Sequence, residues 1–235
     1  AAAYVTQGRA ETNFLFRNAW PPNFAAPQDD KGQPDPSVTY IHQQPWEFTS
    51  IPQSWVAPLR DVVDEIWVPS IFCRDIYASN GLSMSKIHVV PHGINYKKYA
   101  LETGRTPLGT NKSFVFFFIG GLLPRKGIDV LLKAYSRAFT VDDDVALLIH
   151  TIYGDKFQRS TIANLMHLRD LSPEIVLHET PLSWTEYVKT LNSVHGFVSP
   201  FRSEGFGLTI LEAMSKGLAP IIPYYGPPKE FAPNN

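Results

Sequence analysis

The amino-acid sequence predicts an α/β protein whose second half forms a doubly wound, mainly parallel sheet. The run SFVFFFIGG at 113–121 is continuously apolar and rich in aromatic and β-branched residues. Such runs are typical of a central parallel strand that is covered on both faces. From this run to the end of the chain, five strand-like segments alternate with helical patterns. Because parallel neighbours need right-handed crossover connections, this alternation favours a doubly wound sheet.

The first half of the chain begins with irregular sequence and continues as alternating strands and helices. The first 37 residues are rich in proline, asparagine and alanine, so we expect loops there. The apolar spacing that follows predicts further regular elements. These are a strand at 38–42, a helix over Pro52–Val63, a short buried strand in EIWVPS, a helix in SIFCRDIYASNG that ends at Gly81, and a strand in KIHVVPHGI.

A polar stretch without apolar periodicity, NYKKYALETGRTPLGTNK at 95–112, is the best candidate for a linker. The predicted elements beyond it are the strand Phe114–Ile119, the helix KGIDVLLKAYSRAF, the strand DVALLIHTIY, a helix over about Gln158–Leu171, the strand EIVLHE, the helix SWTEYVKTLNS, the strand VHGFVSP, the helix GLTILEAMSKG and the strand LAPIIPYY. We therefore predict one domain at 1–94, a linker at 95–112 and a Rossmann-like domain at 113–235.

Composition and charge argue against several classes of protein. Lys and Arg total 21 and Asp and Glu total 22, and neither sign forms a long block, so no nucleic-acid partner is expected. The single cysteine, Cys73, provides neither a disulfide within this sequence nor a multi-cysteine metal site, and it suits a reducing compartment. The longest apolar run, Phe114–Leu123, is too short to span a membrane, and nothing resembles a signal peptide. We expect a soluble, cytoplasmic protein without a transmembrane segment.

The loop GGLLPRKG follows the first strand of the Rossmann-like half, where ligands of such sheets bind. Gly120 and Gly121 allow close approach of the backbone, and Arg125 and Lys126 stand at the start of a helix that favours an anion. We therefore interpret the loop as a phosphate or diphosphate clamp. The alternative is a glycine turn with solvated basic residues. The loop lacks the third glycine of GxGxxG and the Ser or Thr of a P-loop.

A second loop, in SPFRSEGFGLTILEAM, carries two glutamates eight residues apart. Gly205 and Gly207 free the backbone, and a helix should begin near Leu208 or Thr209. Glu204 would then lie beside the helix N-terminus and accept hydroxyl hydrogen bonds, and Glu212 would present its oxygens to vicinal hydroxyls. The alternative is that Glu204 only caps the helix and Glu212 is an ordinary helical acid.

Three segments resemble one family in that family's order along the chain. EGFGLTILEAM looks like the E-x7-E motif of retaining, nucleotide-sugar-dependent glycosyltransferases of the GT-B type, also called glycosyl transferases group 1. FFFIGGLLPRKGIDVLLKAY resembles the family's phosphate-loop strand and helix, and EIWVPSIFCRDIYASNGLSMSKIHVVPHGIN resembles the segment that runs into its interdomain linker. The resemblance implies transfer of a sugar from a nucleotide-sugar donor such as a UDP-, GDP- or ADP-sugar, with retention at the anomeric carbon.

Carried over residue by residue, the resemblance assigns roles within this chain. It implies that Lys126 binds the donor diphosphate, that Glu212 holds the ribose diol and that Glu204 contacts hydroxyls of the transferred sugar. Family members usually have an arginine where this chain has Gly121, so Arg125 is the candidate for the second cation. HETPLSW resembles the turn that faces the nucleobase through its backbone. The expected donor-binding positions are Gly120, Gly121, Arg125, Lys126, Thr180, Leu182, Glu204, Gly205, Phe206, Gly207, Leu208, Thr209 and Glu212.

The first half should supply the acceptor side, for an acceptor that the sequence does not identify. The family often has a histidine facing the sugar at the position of His42, which makes this residue a catalytic candidate together with Lys126 and Glu204. A histidine at a strand end is otherwise a satisfied core or edge residue. Glu47 is a second candidate, while PHG at 91–93 reads as a hinge in which His92 is structural.

Charge suggests a mechanism without a metal or other cofactor. Negative charge builds on the leaving diphosphate, and fixed cations with helix-terminal amides stabilise it where it develops. The only D-x-D spacing, Asp142 to Asp144, is expected to be a solvated turn; its alternative reading is a metal site of the GT-A type.

Two features distinguish this chain from the family's usual pattern. We find neither the opening strand and glycine-rich loop of the N-terminal domain nor the helices that close the second domain. We therefore expect a GT-B chain truncated at both ends, with a nearly complete donor domain and a partial acceptor domain. The alternatives to a transferase are a nucleotide-sugar-binding fragment with little turnover and a metal-dependent GT-A-like transferase.

Overall fold

The computed structural model describes residues 13–29, 31–152, 159–160, 162–163 and 172–232. The chain divides into two compact units, Ala1–His92 and Gly93–Asn235. Within the described ranges, every helix is too short or too polar to cross a bilayer.

The first unit is built on a parallel sheet with the strand order β1-β2-β3-β4. Its elements are β1 Asn13–Arg17, β2 Val38–Gln43, α1 Gln53–Asp61, β3 Glu65–Val68, α2 Ile71–Ser79, a 3-10 turn at Met84–Lys86 and β4 Ile87–Val89. Pro52 directly precedes α1, and the Ser70 hydroxyl caps α2 by accepting from the amide of Cys73 at 3.0 Å. Tyr40, Ile66 and Tyr77 lie fully buried in the core of this unit.

One prediction for the first unit is wrong. The first 37 residues were expected to be loop, but Asn13–Arg17 forms β1, which pairs in parallel with β2 from Asn13↔Val38 to Arg17↔His42. The apolar run in NFLFR is only three residues long and lies in a segment rich in proline, asparagine and alanine, so the sequence pattern does not indicate a strand. It becomes a strand because pairing with β2 satisfies its backbone and buries Leu15.

The second unit is a five-stranded parallel sheet with the order β7-β6-β5-β8-β9. Its strands are β5 Phe114–Ile119, β6 Val145–His150, β7 Glu174–His178, β8 Gly196–Val198 and β9 Pro220–Ile221. The helices are α3 Tyr96–Leu101, α4 Ile128–Ala138, α5 Trp184–Ser193 and α6 Leu208–Ser215, with 3-10 turns at Pro124–Lys126 and Pro227–Glu230. The helix predicted at about 158–171 falls largely outside the described residues.

Helices cover both faces of this sheet, as the continuous apolar run predicts. Phe117 on β5 packs in a cluster with Leu191 of α5 and Ile210 of α6. The next residue, Phe118, points to the opposite face and packs in a cluster with Leu131 of α4. The period of two along a strand thus places adjacent phenylalanines in two separate layers of core.

The predicted linker, 95–112, contributes to the core of the second unit. It contains α3, and Tyr99 and Leu108 are only 3% and 8% exposed. The Lys216 ammonium donates to the carbonyls of Tyr99 and Glu102 at 3.0 Å each. These contacts fasten the segment to the residue that follows α6.

The order of the strands creates a switch point between β5 and β8. From β5 the chain moves outward to β6 and β7, then returns to the other side of β5 as β8 and continues to β9. Because the crossovers leave in opposite directions, this switch point at the carboxyl edge of the sheet is where folds of this kind bind their ligands. The two loops singled out from the sequence are those that follow β5 and β8.

Candidate functional site

The switch point brings Lys126 and Glu204 together. Lys126 ends the 3-10 turn after β5, and Glu204 lies in the loop after β8, which pairs with β5. The Lys126 ammonium donates to Oε2 of Glu204 at 2.5 Å, and their side chains are only 17% and 12% exposed. An ammonium has three donors, so Lys126 can hold Glu204 and still bind a further anion. A Cβ at Gly120 would lie 3.9 Å from Cδ of Lys126, which places this glycine beside the lysine stem.

A clamp centred on Arg202 joins the same two loops. The backbone amide of Arg202 donates to the carbonyl of Arg125 at 2.7 Å. Its guanidinium donates to the carbonyl of Pro124 at 2.7 Å and to both carboxylate oxygens of Asp129, each at 2.7 Å. This bidentate pair lowers the pKa of the Asp129 carboxyl, chiefly through the hydrogen bonds from Arg202. Sequence reasoning missed both residues, because a pair 73 positions apart has no local pattern.

The Gly-Phe-Gly tripeptide sets the start of α6. Gly207 adopts φ +98°, a left-handed conformation that favours glycine, and α6 begins at Leu208 as predicted. Because the N-cap residue is glycine, it supplies no side-chain cap to this end of the helix, which suits it to receive a negatively charged or hydroxyl-bearing ligand. Phe206 is buried and packs on Phe231 with 5.2 Å between ring centroids. This packing fixes the loop that carries Glu204.

Glu212 lies one turn into α6 and is half-buried. The Tyr187 hydroxyl, on α5, donates to Oε2 of Glu212 at 2.8 Å. Burial first and then the neighbouring carboxylate raise the pKa of Tyr187, so its hydroxyl stays protonated and keeps donating. Glu212 is thus a helical acid whose orientation is set by a second helix, and Tyr187 is another residue that the sequence did not reveal.

The turn after β7 contains the two predicted nucleobase positions. Thr180 is exposed and Leu182 is half-buried. A capping box closes the turn: the amide of Ser183 donates to the Glu186 carboxylate at 2.7 Å, and the amide of Glu186 donates to the Ser183 hydroxyl at 3.3 Å. The backbone of this turn is therefore held in a fixed shape at the start of α5.

The acidic trio at 142–144 lies at the opposite edge of the sheet, in the turn before β6. The Asp143 carboxylate accepts from the amide and hydroxyl of Thr140 at 2.7 and 2.9 Å. The Asp144 carboxylate accepts from the amide of Ser113 at 2.9 Å and from the Ser113 hydroxyl. Two of the three acids thus stabilise a turn at the amino edge of the sheet, whereas the switch point is at its carboxyl edge.

His42, the catalytic candidate of the first unit, is fully buried at the carboxyl end of β2. Its ring packs on Phe24 at 4.8 Å between centroids, and Nδ1 lies 3.4 Å from the Tyr40 hydroxyl. Burial, with a smaller contribution from the charge of Arg17, lowers the pKa of His42 to about 4. Among the described residues, Nε2 has no hydrogen-bond partner. His42 is therefore neutral near pH 7, and its Nε2 is enclosed by the protein. Glu47, the second candidate, lies half-buried after β2.

We predict that His42 makes the stability of the first unit depend on pH. The unfolded histidine, with a pKa near 6.5, binds a proton between pH 6.5 and 4, whereas the folded one does not. Stability is then full above pH 6.5 and falls as the pH decreases toward 4, by about 3 kcal/mol in total. Urea unfolding followed by tryptophan fluorescence at several pH values would measure this pH dependence of the free energy of unfolding. His42→Gln should flatten this slope, and exposed His88→Gln should leave it unchanged. The same slope in wild type and His42→Gln would refute the prediction.

Comparison with known proteins adds independent findings. The sequence pattern of the family described as glycosyl transferases group 1 matches residues 103–235. A GDP-mannose:cellobiosyl-diphosphopolyprenol alpha-mannosyltransferase of Xanthomonas campestris is 28% identical over 138 residues, 59% of this chain and 34% of that protein. An MMP alpha-(1->4)-mannosyltransferase of Mycolicibacterium hassiacum is 28% identical over 163 residues, 69% of this chain and 37% of that protein.

Solved structures show the same fold. Anabaena Alr3699/HepE, in complex with UDP and glucose, has a TM-score of 0.67 and 15% identity over 82% of this chain and 55% of that one. TarM has a TM-score of 0.60 and 16% identity over 85% of this chain and 39% of that one. The predicted fold class, α/β of the GT-B type, is confirmed, and the structure has two Rossmann-like parallel sheets. The chain spans about a third of the length of the two mannosyltransferases.

Proposed function

The chain belongs to the glycosyl transferases group 1 family, and from this premise we propose that it transfers a sugar from a nucleotide-sugar donor to a saccharide, lipid or protein acceptor. The observation that carries the proposal is the Lys126–Glu204 pair at the switch point, 2.5 Å apart and next to the uncapped end of α6. A cation, a carboxylate and helix-terminal amides together suit a ligand that combines phosphates with sugar hydroxyls.

In this proposal, Lys126 stabilises the charge that develops on the leaving diphosphate. The bond between the anomeric carbon and the phosphate oxygen breaks, and its electron pair stays on that oxygen. A fixed ammonium stabilises this charge most when it needs no reorganisation during the reaction. The salt bridge with Glu204 holds the ammonium, and the Arg202 clamp holds Pro124 and Asp129 on either side of the lysine in the chain. Arg125, next to Lys126, is the proposed second cation.

The two glutamates contact different parts of one donor in this proposal. Glu204, beside the uncapped start of α6, accepts from hydroxyls of the transferred sugar. Glu212, further along α6, accepts from the ribose diol, and the turn that contains Thr180 and Leu182 faces the nucleobase. His42, neutral and with its Nε2 buried in the first unit, is the proposed catalytic residue of that unit. Transfer would retain the anomeric configuration, as the family resemblance implies, and proton NMR of the product would test this.

We propose that the reaction needs no divalent metal, because Asp143 and Asp144 are engaged in a turn at the other edge of the sheet. Calorimetric titration with UDP, GDP and ADP, with and without EDTA, tests this and the site together. We expect one of them to bind equally well under both conditions. Binding that EDTA abolishes would favour a metal-dependent transferase, and no binding by any nucleotide would reject the donor site.

A second measurement separates a transferase from the alternative, a nucleotide-sugar-binding fragment with little or no turnover. Transferases with a competent donor site release some sugar to water, so a radiolabelled donor should be hydrolysed slowly without an acceptor. Nucleotide binding with no hydrolysis and no transfer would identify a binding fragment.

We predict that Glu212→Ala weakens binding of the nucleoside diphosphate about 10- to 100-fold. Each hydrogen bond to a charged group contributes roughly 1.5–3 kcal/mol, and tenfold in affinity is about 1.4 kcal/mol. Glu174→Ala, at the start of β7, is the matched control and should bind normally. Unchanged affinity in Glu212→Ala would show that the ribose assignment is wrong.

A further inference from the structure

The Glu212 carboxylate is oriented by tyrosines from two other helices. Tyr187 of α5 donates to Oε2 at 2.8 Å. Tyr99 of α3 is 3% exposed, and burial followed by a hydrogen bond to Glu212 raises the pKa of its hydroxyl. Since both phenols stay protonated, Tyr187 donates to the acid and Tyr99 provides a second O–H near it. The bond from Tyr187 fixes one carboxylate oxygen, Oε2.

The framework behind these tyrosines is tightly packed. Tyr99 lies edge-on to Trp184 with 4.3 Å between ring centroids, and the Lys98 ammonium lies 4.2 Å from the centroid of Trp184. The Lys216 ammonium, just beyond α6, donates to the backbone carbonyl of Tyr99 at 3.0 Å. Helices α3, α5 and α6 therefore meet around Glu212, and the phenol groups have little freedom to move away.

We propose that Tyr187, backed by Tyr99, is a positioning residue that aims Glu212 at the ribose of the nucleotide; the inference rests on the proposed function. A glutamate side chain has several rotamers, and holding one of them in advance lowers the entropy lost when a ligand binds. A carboxylate offers about four lone-pair sites, so the bond from Tyr187 leaves sites on both oxygens for two hydroxyls. Tyr187 thus sets how strongly the site distinguishes a ribonucleotide from a nucleotide lacking one ribose hydroxyl.

Removing the Tyr187 hydroxyl tests the inference on the full chain. The probes are UDP, GDP or ADP, whichever binds wild type most tightly, and its 2′-deoxy analogue. We expect Tyr187→Phe to bind the ribonucleotide about 3- to 10-fold more weakly and to leave the affinity for the 2′-deoxy analogue nearly unchanged. The dissociation constant of the 2′-deoxy analogue divided by that of the ribonucleotide therefore falls. A general loosening of the fold would weaken both and leave this ratio unchanged.

The matched control is Tyr135→Phe. The Tyr135 hydroxyl donates to the carbonyl of Glu174 at 3.0 Å, at the edge of the sheet away from the switch point. Its removal should leave the affinity ratio as in wild type. In addition, Tyr187→Phe should have no further effect in a Glu212→Gln background, because the two changes disrupt one interaction.

The outcomes separate this inference from the function on which it rests. If Glu212→Gln lowers the ratio and Tyr187→Phe does not, the positioning role of Tyr187 is wrong and the donor site stands. If wild type binds the ribonucleotide and its 2′-deoxy analogue equally, Glu212 does not hold the ribose. The ribose role of Glu212 and the positioning role of Tyr187 are then both wrong. If Tyr187→Phe weakens the binding of the ribonucleotide and of the 2′-deoxy analogue by the same factor, the role of Tyr187 is structural and the inference is overturned.

Discussion

Replacing Lys126 with methionine is expected to reduce sugar transfer, or hydrolysis of the donor, by about 100- to 1,000-fold. A single preorganised group that stabilises developing charge commonly contributes this much to a rate. Lys126 fits that description because its side chain is 17% exposed and is paired with Glu204 at 2.5 Å. Methionine keeps most of the apolar stem and removes the charge. The rate with a radiolabelled donor, at saturating and at low concentration, measures the effect.

Binding gives a second measure that does not require turnover. If Lys126 contacts the diphosphate, Lys126→Met should weaken the binding of a nucleoside diphosphate more than the binding of the corresponding monophosphate. Lys126→Arg, which keeps the cation, should recover part of the loss. Lys133→Met is the control, because Lys133 lies exposed on α4 and belongs to no proposed contact. Equal losses for diphosphate and monophosphate would contradict the phosphate role, and a normal rate in Lys126→Met would contradict the mechanism.

Local sequence patterns were enough to predict the framework of this site. The apolar run at Phe114–Ile119 forms β5 with the predicted bounds, and α6 begins at Leu208, directly after Gly207. Such features depend on residues that are close in the chain: alternation along a strand, or a glycine that allows a left-handed turn. The position of the loops at the carboxyl edge then follows from the parallel order of the strands.

Contacts that orient the site were not predictable, because they join distant positions. The Arg202–Asp129 pair spans 73 residues and the Tyr187–Glu212 pair spans 25. An exposed-looking arginine or a helical tyrosine gives no sign of its partner until the strand order is known. The predicted site was therefore a set of ligand-binding residues without the residues that hold them.

The burial of His42 shows the same limit in the first unit. Its place at the end of a strand could be predicted, but the burial of its ring could not. Phe24, from a segment without regular structure, covers the imidazole at 4.8 Å between centroids. Burial then lowers the pKa of His42 to about 4, so the candidate is a neutral imidazole near pH 7.

A methyl group at Gly127 is expected to have the largest effect on the stability of the second unit. Gly127 adopts φ +71° and is buried between the turn at Pro124–Lys126 and α4. A Cβ there would overlap the carbonyl oxygen of Pro200 and lie 2.9 Å from its carbonyl carbon. A left-handed residue with a Cβ costs roughly 1–2 kcal/mol, and overpacking adds typically 1–3 kcal/mol. We therefore expect Gly127→Ala to lower the free energy of unfolding by about 2–5 kcal/mol, measured by hydrogen exchange of peptides from this unit.

Gly217→Ala is the control that separates the steric overlap with Pro200 from the cost of placing alanine in a left-handed conformation. Gly217 follows α6 with φ +76°, and a Cβ there meets nothing within 4 Å. Gly217→Ala should therefore lower the free energy of unfolding only by the roughly 1–2 kcal/mol that a left-handed conformation costs a residue with a Cβ. The difference between the variants measures how closely the loop after β5 approaches the loop after β8. Because that approach also joins Lys126 to Glu204, Gly127→Ala should weaken diphosphate binding at temperatures where the unit remains folded. Equal destabilisation by the two changes would show that Pro200 can move aside, and the two loops would then not be held together by packing at Gly127.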